Sequence, residues 1–148
     1  MTRPALFAAT VAALLATAPA PKSKPRLEPV AETRLLMEGL AHANFRGLER
    51  LLSQKPADVQ TWTFARGQAL LIAETGNLLL LRPPKTDGQS AWMDSATELR
   101  ERATRLARHA AARDPDRCRQ ALAELAGTCN HCHQSFGVPA RVAPFAEP

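Results

Sequence analysis

Proline divides this chain so regularly that few folds remain open to it. Pro29, Pro56, Pro83-Pro84, Pro115 and Pro139 enclose four proline-free stretches of 26, 26, 30 and 23 residues. Proline breaks a helix from inside but suits its first turn, so the spacing predicts four helices joined by short connections. Composition points the same way. Aromatic residues make up 5% and Tyr is absent, while Ala and Leu, strong helix formers, are plentiful. A chain of 148 residues is also too short for the large α/β barrels. The expected fold class is all-α: an antiparallel up-down-up-down four-helix bundle. No internal repeat is visible.

The first helix is expected over 32–53. Advancing 100° per residue from Leu36, Thr33, Met37, Leu40, Ala41, Asn44, Gly47, Leu48, Leu51 and Leu52 share an arc of about 160°. Glu38, His42 and Arg46 fall outside it, and Arg34 lies at its edge with Leu52. The second helix, about 57–81, is more apolar around its circumference and is expected to be the most buried. The third, about 90–113, carries Glu98 with Arg102 and Glu101 with Arg105, acid before base at four-residue spacing, as on a solvated face. The fourth begins after Asp114-Pro115. Trp62, Phe64 and Trp92 are expected in the core or against a cofactor.

Residues 1–20 have the pattern of a secretory signal peptide: Arg3, an uncharged stretch from Ala5 to Ala18, and small-residue cleavage sites ending at Ala18 or Ala20. A proline follows either site and hinders the peptidase, which leaves an uncleaved anchor as the alternative. Residues 21–31, with Pro21, Pro25, Pro29, Lys22, Lys24 and Arg26, form a basic Pro-rich flexible tail. The bundle domain is then 32–142, exported to the periplasm and soluble there. The net charge of +5 is spread along the chain, so no nucleic-acid partner is indicated.

The chemistry lies near the C-terminus, in Cys129-Asn130-His131-Cys132-His133, the Cys-x-x-Cys-His signature of c-type haem attachment. Two thiols three residues apart on a helix reach the two vinyl groups of one porphyrin, and the adjacent His133 offers an imidazole to the iron. Three other readings compete. A thioredoxin-like pair requires a βαβ setting. Zinc requires a second ligand pair, where only Cys118 and scattered His remain. A structural Cys129–Cys132 disulfide in a non-haem bundle would suit an exported chain. Measured from Cys118, Leu122, Leu125, Ala126, Cys129, Cys132, His133 and Phe136 lie between about −40° and +80°, so the motif shares the core-facing stripe. His131 lies opposite, toward solvent. Cys118 is about 16 Å from Cys129 along the axis, too far to join the motif, and reads as a small buried hydrophobe.

The stretch Ala126-Gly127-Thr128-Cys129-Asn130-His131-Cys132-His133-Gln134-Ser135-Phe136 closely resembles the final helix of class II cytochromes c, the cytochrome c prime family. The likeness extends over residues 32 to about 142. It implies one covalent haem c held by Cys129 and Cys132 with His133 as proximal ligand, and often a homodimer. It also implies electron transfer with redox partner proteins, with binding of diatomic gases (NO, CO) at an open sixth position as the alternative. The residues themselves show no paired carboxylates of matching spacing, nucleophile elbow or phosphate loop, so no enzymatic activity is expected. Many relatives carry a basic residue four positions after the haem His. Here that position is Gly137, so the role is absent or passes to Arg141. Low-spin relatives present a Met from the first helix as sixth ligand, which makes Met37 the candidate, ahead of His42. Met37 as a simple gap filler stays open.

Overall fold

The computed structural model describes residues 26–54, 56 and 58–145, and within them every regular element is helical. The expected signal peptide and the first part of the basic tail lie outside the described residues. Residues 26–30 are exposed and carry no regular structure.

Four helices follow. α1 (33–53) is continuous but not uniform: α-helical over Thr33–Leu36, π-helical over Met37–His42 and α-helical again over Ala43–Ser53. α2 is Val59–Leu80, α3 is Gln89–Ala111 and α4 is Pro115–Ser135. Side-chain caps explain two of the starts. Asp58 accepts from the Thr61 amide at 2.8 Å, and Asp114 accepts from the Arg117 amide at 3.0 Å ahead of Pro115 in the first turn.

Each helix packs on the next, and α1 closes the bundle against α4. The pairing is antiparallel. Trp92, near the start of α3, donates its indole N–H to the Leu79 carbonyl at the end of α2, 2.8 Å away. Arg119, near the start of α4, donates to the Leu52 carbonyl at the end of α1 at 2.6 and 3.1 Å. The arrangement is the expected up-down-up-down four-helix bundle.

The core consists of Leu and Ala stripes: Leu48 and Leu52, Ala65 and Ile72, Leu99 and Leu106, Leu122 and Leu125. α2 and α3 pack tightly at Gly76, where a Cβ would stand 2.7 Å from the Ala96 carbonyl oxygen and 2.9 Å from the Arg100 backbone nitrogen. Only a residue without a side chain fits there.

Two sequence expectations need correction. Phe64 is 61% exposed, whereas Trp62 is 6% exposed and in the core. Two residues apart on a helix means 200°, so the two rings cannot share one face. The second correction concerns α1. Phe45 and Glu49 lie outside the predicted arc, yet they are 4% and 8% exposed. The π-helical turn acts as a one-residue insertion and turns everything after it by about 100°, which brings Phe45, Leu48, Glu49 and Leu52 onto the face that Leu36 begins.

Candidate cofactor site

The starts of α1 and α3 and the ends of α2 and α4 meet at one end of the bundle. There they enclose a largely apolar cavity of ≈ 740 Å³, within the range of pockets that hold small-molecule ligands and cofactors. Its walls are Met37, Ala41 and Phe45 from α1, Ile72 and Leu79 from α2, Trp92, Ser95 and Leu99 from α3, and Cys129, Cys132, His133 and Phe136 from α4. Residues 138–142 close one side. The wall that carries Trp92 is stiffened by Phe136, whose ring meets it edge to face at 5.1 Å and 80°.

Three of the four predicted site residues thus arrive on one helix, and the fourth, Met37, on another wall of the same cavity. His42 is exposed at the rim, nearer the cavity than its helical angle predicts, because the π turn ends on it. His131 is exposed, as expected. Cys118 is a buried free thiol outside the cavity, and Met93 is 40% exposed outside it too.

The thiols lie in apolar surroundings. Burial, then the neighbouring Cys132, pushes the Cys129 thiol up to about 12. Burial also raises Cys132, opposed by a hydrogen bond with Ser95. Both remain protonated at neutral pH, the opposite of the depressed values of catalytic Cys-x-x-Cys pairs. Both are free, on a helix that runs unbroken through them. Among the described residues no group of three or more His, Cys, Asp or Glu side chains is arranged to hold a metal ion.

His133 is oriented. Its Nδ1 lies 2.8 Å from the Ala140 carbonyl oxygen. A carbonyl only accepts, so Nδ1 carries the proton and Nε2 of the neutral ring keeps its lone pair for a ligand role. The residue that makes this contact possible is Gly137, with φ of 66°. Past the end of α4 the Val138 amide donates to the His133 carbonyl at 2.8 Å and the Gly137 amide to the Gln134 carbonyl at 3.4 Å, a Schellman stop that needs a left-handed residue. Gly137 thus turns the chain back under the motif. Arg141, the expected substitute for a basic side chain at that position, reaches the cavity wall.

Two thiols and a free imidazole nitrogen in one apolar cavity are a donor set that fits a covalently attached haem. Residues 87–137 match the family model described as Cytochrome C'. Over this stretch the chain is similar to the cytochrome c′ family. Members of that family are c-type haem proteins of electron transfer or gas binding. The cytochrome c′ match covers α3 and α4 with the whole Cys-x-x-Cys-His motif; α1 and α2, and with them Met37, lie outside it. No curated protein and no solved structure gives a match to the chain.

Sequence reasoning missed Phe45 and the Ala140 carbonyl as parts of this site. For Ala140 there was a signal: Gly137 followed by Pro139 marks a helix stop directly after the motif. Phe45 had none, since nothing in the side-chain pattern announces a π turn.

Proposed function

We propose that the protein is an exported, soluble, monohaem electron carrier, with Cys129 and Cys132 in thioether linkage, His133 as proximal ligand and Met37 as sixth ligand. The observation that carries this reading is the His133–Ala140 contact: it presents Nε2 to the cavity that both thiols also line. When bound, the haem supplies an iron that cycles between ferric and ferrous states. The chain does the rest. Its apolar walls exclude water and lower the local dielectric, which is one of the protein's levers on the potential. Arg141 offers a cation near the rim for the propionates. Residues 1–20 direct export to the periplasm, and no described helix is long and apolar enough to cross a membrane. The partners are redox proteins, and a second copy of the chain suits the exposed Phe64 and Leu71 on α2.

The test is covalent haem that survives acid–acetone extraction in the wild type. It should be lost in the Cys129→Ala, Cys132→Ala double variant, and His133→Ala should change the spectrum. Retention of covalent haem without either thiol would sink the reading.

A second reading, gas binding, is favoured by the character of the α1 wall. Ala41 and the buried Phe45 stand beside Met37 and offer the iron nothing to bind. If Met37 is a filler, the sixth position stays open to NO or CO.

A further inference from the structure

We propose that residues 137–145 form a strap that sets the orientation and donor strength of the His133 imidazole, with Asn130 and Glu49 as the positioning residues that hold it. The inference rests on His133 being the axial ligand.

The strap leaves α4 at the Gly137 stop and runs back along the helix. It is anchored at three points. Asn130 grips Val142 in both directions: its Nδ2 donates to the Val142 carbonyl at 2.7 Å, and its Oδ1 accepts from the Val142 amide at 2.8 Å. The Phe145 amide donates to Glu49 Oε1 at 2.7 Å, and the other oxygen of that carboxylate pairs with Arg46 at 2.6 Å. The Arg119 guanidinium, already held by the Leu52 carbonyl, lies 5.8 Å from the Phe145 ring centroid. Ala140 sits two residues before the Asn130 clamp, and its carbonyl is the one that meets His133 Nδ1.

Nothing in regular secondary structure holds this segment in place. Ordering a backbone residue costs about 1–2 kcal/mol, so a coil tail presents one carbonyl to one imidazole only if side chains elsewhere hold it there. Asn130 supplies that from inside the haem motif, at a position the signature treats as a spacer. Its amide mimics a backbone pair, which only Asn or Gln can do with both a donor and an acceptor. A carbonyl on the distal nitrogen of a metal-bound His fixes its tautomer and raises its basicity. A more basic imidazole favours ferric iron over ferrous, so releasing the strap raises the reduction potential.

The experiment compares purified holoproteins: wild type, Asn130→Ala, Asn130→Asp, and a chain ending at Pro139 that lacks the Ala140 carbonyl. Haem content is checked by pyridine haemochrome and helicity by circular dichroism. Asn130→Ala and the shortened chain should each raise the potential by a roughly tenfold change in ferrous-to-ferric ratio, about 59 mV for a one-electron couple. Asn130→Asp, which keeps the acceptor for Val142 but loses the donor, should fall between. If Asn130→Ala yields no holoprotein, the shortened chain and Asn130→Asp decide. Potentials equal to wild type in the haem-loaded variants overturn the strap. Should His133→Ala leave the wild-type spectrum unchanged, the axial-ligand reading fails first, and the two failures are distinct.

Discussion

Leu36 and Phe45 face the same core, although nine residues of ideal α-helix would place them on opposite sides of α1. Leu36 is 8% exposed and Phe45 4%, and between them lies the π-helical turn Met37–His42. A π turn is one residue longer than the α turn it replaces. Just past it the Asn44 side-chain amide donates back to the Leu40 carbonyl within the turn at 2.7 Å.

Deleting Gly39 should therefore be tolerated. It removes the extra residue, leaves Phe45, Leu48 and Leu52 in phase with Leu36, and takes out a glycine that costs a helix about 1 kcal/mol. Deleting Arg46 turns Leu48 and Leu52 out of the core instead, and should cost about 3 kcal/mol or more. Urea unfolding of both variants checks this. Equal stability would mean that the bulge does not set the register. The Gly39 deletion should still alter the haem spectrum, because it moves Met37 and His42.

Met37 is tested by spin state. With Met37 bound, the ferric protein should be low-spin, and Met37→Ala should turn it high-spin and open it to carbon monoxide. A wild-type ferric spectrum that is already high-spin would remove the ligand assignment and favour gas binding.

The α2–α3 contact makes a paired prediction. Gly76→Ala places a methyl 2.7 Å from the Ala96 carbonyl oxygen, and should cost about 1–3 kcal/mol by overpacking. Gly67 is in the same helix with nothing within 4 Å of a built Cβ. Gly67→Ala should stabilise by about 0.5–1 kcal/mol. Thermal unfolding midpoints should move in opposite directions.

Alkaline stability should report Cys118, the one thiol that thioether formation leaves free. Burial, then Asp114, pushes it up from its ordinary 9.0 to about 11. The unfolded chain thus loses this proton first. The contribution is fully present below pH 9 and is lost between pH 9 and 11, by at most about 1.4 kcal/mol per pH unit for one proton. Cys118→Ala should flatten that part of the stability curve of the holoprotein. Parallel curves would show that the thiol does not titrate differently on folding.

Much of this molecule was legible in its residues. Pro56, Pro83-Pro84 and Pro115 delimit helices because a missing amide and a locked φ act locally, wherever the chain goes. The stripe Leu122–Leu125–Cys129–Cys132 was legible because α4 is a regular helix, so 100° per residue holds along it. The cofactor class followed from five adjacent residues, since the reach of two thiols and an imidazole on one helical turn depends on nothing distant.

The face of α1 beyond His42 and the role of Asn130 were not legible, for a shared reason. A π turn is only a small departure from an α turn, and burying Phe45 in the core and Glu49 against the C-terminal segment selects it. Asn130 meets Val142, twelve residues on, only after Gly137 has reversed the chain. The sequence determined each helix and the attachment motif by itself, because those rest on local bonds and short spacings. Tertiary packing decided the rotation of α1 and the carbonyl that orients His133, because both depend on which distant surfaces come into contact.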